Sequence, residues 1–231
     1  MRRLATLVLV LLVLLAVGGT VADRLLVARA EERLLTLARE QVELADDAEV
    51  VIDGFPFLTQ VLAERLAEVR GTTSVLVADG RELRDARVTA RGVSPEEPYR
   101  AETVEINVTL PAATLEAGMN GSGYVPGNPV RLETAEDVLQ LSVSVAGFEL
   151  SVLLEPVLRG EEIGLEVREV MTGTTSLPQD VTARLNEGVE QLRVPLPDLP
   201  EGLAPTRIAV ESDGLHVRLE GADIELGHWA R

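Results

Sequence analysis

An α+β fold, with helices laid against antiparallel sheet, is what the sequence predicts, and three observations predict it. Residues from Asp23 to Gln41 repeat apolar side chains at spacings of three and four. The segments Val104 to Leu110 and Leu139 to Leu154 alternate apolar with polar side chains, and Gly, Pro and Asp punctuate the intervals between such segments. The first pattern has the period of a one-faced helix and the second that of a half-buried strand. With 231 residues, 46% of them hydrophobic, the chain is long enough to bury one sizeable core.

At the N-terminus, Arg2-Arg3 precede nineteen uncharged residues from Leu4 to Ala22, of which Leu4 to Val17 is solidly apolar. A positive start followed by such a run reads as a secretory signal, with Thr20-Val21-Ala22 as a cleavage site. The same run is long enough to span a bilayer as a helix with the arginines inside. Either reading places the remainder outside the cytoplasmic membrane. The expected division is therefore a signal peptide or membrane anchor over 1–22 and a single domain over 23–231.

That domain begins with a helix from Asp23 to about Gln41. Leu26, Ala30, Leu34, Leu37 and Ala38 form its apolar stripe, with Asp23 as N-cap and Arg39 near the C-terminal end. The stripe lasts fewer than three heptads, which favours packing on a sheet over coiled-coil pairing. Val42 to Asp53 reads as extended chain with an acidic turn at Asp46-Asp47, and Leu58 to Val69 as a short helix turning into a strand.

Val75 to Val77, Leu83 to Thr89 and Val104 to Leu110 are further predicted strands, with a loop over Gly92 to Pro98. Pro111 opens a short helix through Ala117, at a position needing no backbone donor. A Gly-rich crossing follows near 118–128. It lacks the Lys-Ser or Lys-Thr pair of a phosphate loop, and Ser122 lacks the flanking glycines of a nucleophile elbow. Leu139 to Val145, Phe148 to Leu154 and Ile163 to Val167 make an antiparallel meander with one apolar face. Val181, Leu185, Val189 and Leu192 mark another helix, and the prolines at 195, 197 and 200 enforce a stiff extended segment. Ile208 and Val210 are expected to pair with Leu215, Val217 and Leu219 across the Ser212-Asp213-Gly214 turn, with Ile224 and Leu226 finishing the sheet.

Composition excludes several functions. The formal charge is -17, and all 21 basic residues are arginine. Removing residues 1–22 leaves 19 basic and 38 acidic residues, a net charge of -19. Such a surface repels phosphate backbones, so nucleic acid is not an expected partner. A membrane partnership must rest on apolar contact or a local arginine cluster. There is no cysteine, hence no disulfide, thiolate metal site or cysteine nucleophile. No histidine pair has zinc-ligand spacing and no serine has a recognisable base, so neither metal, cofactor nor enzymatic activity is expected.

The most distinctive local feature is Asp53-Gly54-Phe55-Pro56-Phe57-Leu58-Thr59-Gln60, which holds two of the three phenylalanines. A Gly-Pro turn that drops both rings into the core is one reading, and a ring pair at the mouth of an apolar site is the other. Together with Ala22-Asp23-Arg24, the proline segment Leu196 to Leu203 and Gly221-Ala222-Asp223-Ile224, this string resembles the LmeA-like actinobacterial envelope proteins. That family was formerly grouped under a domain of unknown function and is typified by the mannan-elongation protein of mycobacteria. The resemblance runs from about Asp23 to Leu226. Leu66 to Val69 departs from the family's usual aromatic-acidic string, and Arg70-Gly71-Thr72-Thr73 is expected to interrupt a strand there.

The resemblance implies a secreted or membrane-tethered phospholipid-binding protein of the cell envelope, supporting lipid or lipoglycan (mannan) assembly. It implies a fold related to tubular lipid-binding domains, in which a strongly curved antiparallel sheet cradles a long helix and leaves an apolar groove. In that setting Val143, Val145, Leu150 and Val152 are expected to line the groove. Phe55, Phe57 and Leu58 would form a tail gate or membrane-touching lip, and Arg65, Arg70, Arg84 and Arg87 are headgroup candidates. The implied partners are phospholipid, the outer face of the cytoplasmic membrane and envelope glycosyltransferases. The alternative reading is a non-catalytic scaffold of a glycosyltransferase complex, with no bound lipid.

Overall fold

The structure, a computed structural model, describes residues 2–78, 80–122, 130–145, 148–160, 162–173, 175–176 and 199–226. Of residues 2–18, 121–122, 145, 148 and 176 the backbone alone is described. The predicted helix through Val181 to Leu192, most of the proline segment and most of the Gly-rich crossing lie outside these residues.

Helix α1 runs unbroken from Arg2 to Gln41. The helix therefore does not begin at Asp23; the Leu- and Val-rich run before it is helical too, its leucines being good helix formers. The predicted stripe also needs correction. Val27 is buried and Ala30, Leu35 and Ala38 are half-buried, whereas Leu26, Leu34 and Leu37 are exposed. The inward face keeps Ala30 and Ala38 but is turned by roughly half a residue step, about 50°, and it includes the carboxylates of Asp23 and Glu31.

Two antiparallel sheets follow. The first contains β1 (Glu43–Leu44), β2 (Glu49–Asp53), β3 (Leu66–Ala78), β4 (Arg81–Val93), β5 (Arg100–Leu110), β11 (Leu203–Glu211) and β12 (Gly214–Glu225). Its order is β1-β3-β4-β5-β12-β11, with β2 also on β3. Arg70 to Thr73 do not interrupt β3. Gly71 lies between Val50 of β2 and Val88 of β4, and the two threonines suit a pleated backbone. In β5 the predicted alternation holds, with Val104, Ile106, Val108 and Leu110 all buried. The hairpin register also matches, with Ile208 opposite Val217 and Val210 opposite Leu215.

The second sheet is the predicted meander extended at both ends: β6 (Arg131–Ala135), β7 (Val138–Val145), β8 (Phe148–Arg159), β9 (Glu162–Thr172) and β10 (Thr175–Ser176), ordered β10-β9-β8-β7-β6. Strand β11 meets β6, β8 and β9, so one hydrophobic core joins both sheets. Leu110, Leu139, Leu154, Ile163, Leu215 and Ile224 are among its most enclosed large side chains, each worth about 1.5–3 kcal/mol of burial. Helix α3 (Ala112–Ser122) is longer than predicted; Glu116 and Asn120 accept the Leu132 and Val130 amides, each at 2.9 Å, tying it to the start of β6.

Helix α2 (Phe57–Leu62) is short and joins β2 to β3. Helix α1 packs on β2 and α2, along the edge of the first sheet where β1 and β2 meet β3. That corner, where the aromatic string crosses α1, positions the candidate site.

Candidate functional site

Most of the aromatic string is committed to holding its own turn. Gly54 has φ 104, in the left-handed half of the map, and a Cβ there would lie 2.6 Å from Gln60 Nε2. Gln60 uses the space. Its Nε2 donates to the Asp53 carbonyl at 3.3 Å and its Oε1 accepts the Ala67 amide at 2.7 Å, stitching the end of β2 to the start of β3. The Thr59 hydroxyl donates to the Pro56 carbonyl at 2.7 Å.

The first turn of α2 has no capping side chain of its own, since Pro56 stands at the N-cap. The cap comes from α1. Asp23, 2% exposed, accepts the Phe57 amide on Oδ2 at 3.0 Å and the Leu58 amide on Oδ1 at 2.9 Å. A carboxylate suits this place because the free amides of a helix start carry partial positive charge. The expected capping role of Asp23 is therefore real but directed at a different helix. Two turns further along α1, Glu31 Oε1 accepts the Ile52 amide at 2.8 Å.

Between these two grips α1 and β2 leave a cleft of about 420 Å³, lined by Arg24, Val27, Ala28, Val51, Ile52 and Phe55 among others. The Arg24 guanidinium carbon stands 5.5 Å from the centroid of the Phe55 ring, within cation–π range. Among the described residues Arg24 makes no ion pair. The cleft thus has mixed walls, with Val27, Ala28, Val51 and Ile52 beside Glu31 and Asp53, and it is also lined by Arg24.

The three predicted gate residues separate. Phe57 is buried and packs in the core, while Phe55 is 56% and Leu58 41% exposed. Leu62, one helical turn beyond Leu58, is 84% exposed and went unremarked in the sequence. Of the predicted groove residues, Val143 and Val152 are buried in the core between the sheets and Leu150 is half-buried against it. The side chain of Val145 lies outside the described residues. None of the other three lines the cleft.

Three of the four headgroup candidates are neutralised. Arg65 forms a two-pronged pair with Glu102, Arg70 does the same with Asp53, and Arg84 pairs with Glu82. The Arg65 hydrogen bonds hold the Glu102 carboxyl below its usual range. Arg87 lies on the polar face of the first sheet, in a concavity of about 600 Å³ whose walls also carry Asp85, Glu105, Glu211, Arg207 and Arg218. Mixed charge of that kind does not suit an acyl chain.

Glu211, Asp213 and His216 also converge at the β11–β12 turn, with ligand atoms within 4.8 Å of one another. They engage each other: His216 Nε2 meets Asp213 Oδ1 at 2.7 Å, and this hydrogen bond lowers the Asp213 carboxyl. Adjacent strand ends bring together groups that sequence spacing alone does not mark as a set.

A family model described as LmeA-like phospholipid-binding matches residues 21–220. No curated protein and no solved structure matches the chain. The matched span opens two residues before Asp23 and includes the cleft and the whole aromatic string.

Proposed function

The chain belongs to the LmeA-like phospholipid-binding family, and from that membership we propose that it takes phospholipid in the cleft between α1 and β2, outside the cytoplasmic membrane. The observation that carries this reading is the cleft itself. Val27, Ala28, Val51 and Ile52 line it together with Phe55 and Arg24, and the Arg24 guanidinium stands over the Phe55 ring.

Part of an acyl chain lies along the apolar wall, gaining about 0.8 kcal/mol per buried methylene. The phosphate meets Arg24, whose planar fork suits phosphate oxygens. A volume near 420 Å³ falls within the range of small-molecule pockets, about 300–1,000 Å³, and accommodates a portion of a lipid. The remainder lies over the exposed Phe55 and Leu58. The family is described as phospholipid-binding, which supports a role in carriage, presentation or sensing of lipid. Support of lipoglycan assembly in the cell envelope, with envelope glycosyltransferases as partners and the domain built as a tubular lipid-binding cradle, is part of the same proposal.

The test is native mass spectrometry of the full chain released from detergent, with extraction and identification of retained lipid. One phospholipid per chain, lost in an Ala28→Trp variant that fills the cleft without unfolding, is the expected result. A chain that stays lipid-free after incubation with mixed vesicles overturns the reading and favours the scaffold.

A further inference from the structure

We propose that α2 and the adjoining turn of α1 form a foot that seats in the interface of a phospholipid bilayer, at a depth set by the Asp23 cap. This rests on the reading of residues 1–22 as a retained membrane helix, and it concerns a surface that adjoins the lipid cleft and shares Phe55 and Arg24 with it.

Five large apolar side chains are exposed on two adjoining turns: Val21 and Leu25 of α1, and Phe55, Leu58 and Leu62 around α2. Helix α2 contains no charged residue. Its inward side is fixed by the burial of Phe57, and the spacing of four between Leu58 and Leu62 places both on the opposite, open side. An apolar surface so concentrated marks an interaction site rather than chance exposure.

The bilayer is the occupant because of continuity. Helix α1 has no break between Arg2 and Gln41, and its uncharged stretch from Leu4 to Ala22 leads directly into this surface. At 1.5 Å per residue that stretch is about 28 Å long, close to the roughly 30 Å of a hydrocarbon core. Asp23 and Arg24 then emerge at headgroup level. Asp23 holds the Phe57 and Leu58 amides within 3.0 Å, so α2 is carried to the same level. The Arg24–Phe55 pair completes the arrangement, with an aromatic body for the interface and a cation for lipid phosphate. From Gly19 onward, where side chains are described, no helix is long and apolar enough to cross a membrane. The foot therefore lies in the interface plane, and its contact is apolar, in keeping with a chain of charge -17.

The chain has no cysteine, so single nitroxide labels can be placed at will. Leu62→Cys and Leu58→Cys report the foot, and Glu133→Cys on the exposed face of β6 is the reference. Each labelled full-length chain is placed in phosphatidylcholine nanodiscs, and collisions with oxygen are compared with those of a water-soluble nickel chelate. Oxygen should dominate at 58 and 62, by about tenfold over its ratio at 133, with a depth of about 5–10 Å. Labels at 58 and 62 as open to the chelate as 133, in chains that remain in the discs, overturn the foot. So does shielding from both reagents, which marks a protein neighbour. The two proposals fail separately: Ala28→Trp removes retained lipid and leaves the label depths unchanged, whereas Leu62→Asp, at a residue outside the cleft, leaves lipid stoichiometry intact.

Discussion

The Asp23 carboxylate on α1 accepts the backbone amide of Phe57 at 3.0 Å, thirty-four residues away in sequence. This one contact, doubled by Leu58, fixes how the aromatic turn sits on the long helix. Hydrogen bonds to a buried carboxylate are worth about 1.5–3 kcal/mol each, and loss of a helix cap costs about 1 kcal/mol. Asp23→Ala should lower stability by about 2–3 kcal/mol in urea denaturation. Amide exchange at Phe57 and Leu58 should quicken more than elsewhere, and uniform exchange across the chain would contradict the assignment.

Neighbouring phenylalanines should behave oppositely. Phe57→Ala opens a core site and should cost about 3–5 kcal/mol. Phe55→Ser replaces an exposed ring and should change stability by less than about 0.5 kcal/mol while weakening lipid retention. Parallel thermal melts and lipid extraction of the two variants check both halves.

Gly54→Ala forces a side chain into positive φ and against the Gln60 amide, 2.6 Å from the new Cβ. A loss of about 1–3 kcal/mol is expected. The Gln60–Ala67 hydrogen bond should break as well, visible as a downfield-to-upfield change of the Ala67 amide proton. Gln60→Ala in the same background should then add little.

Stability should fall on the acid side through the Arg65–Glu102 pair. The hydrogen bond from Arg65 lowers the Glu102 carboxyl below the ordinary glutamate value of 4.5. A group whose folded value is depressed contributes above its unfolded value and loses that contribution as pH drops through the folded one. The pair is therefore constant from neutral pH to about 5 and fades below 4.5. Both side chains are solvent-exposed, so the effect is small and weakened by salt. Urea midpoints of Glu102→Gln and the parent chain should differ above pH 5 and converge towards pH 3. A gap that widens on acidification would contradict the pairing.

The strands were legible because alternation is a local property. Val104 to Leu110 and the Ser212–Gly214 hairpin appear in the structure with the faces and register that the sequence predicts. The orientation of α1 was not legible, since its inward face owes as much to Asp23 and Glu31 as to Val27, and a hydrophobic pattern gives no weight to a buried carboxylate with distant amide partners. The aromatic string is conspicuous in the sequence, but its division into an inward Phe57 and an outward Phe55 depends on that cap. The partners of the arginines were not legible either. Arg65 and Arg70 find their acids 37 and 17 residues away, while Arg24 stands over the Phe55 ring without one. The exposure of Leu62 has no signal in the sequence, because it depends on a helix six residues long with one side open.

The cap also turns proteolytic processing into a conformational event. Severed after Ala22, the chain would start on Asp23, and the residue that grips α2 would become a fraying terminus with a new ammonium group beside its carboxylate. A peptidase acting there would slacken the turn that presents Phe55 and Leu58, and a chain left whole keeps it taut.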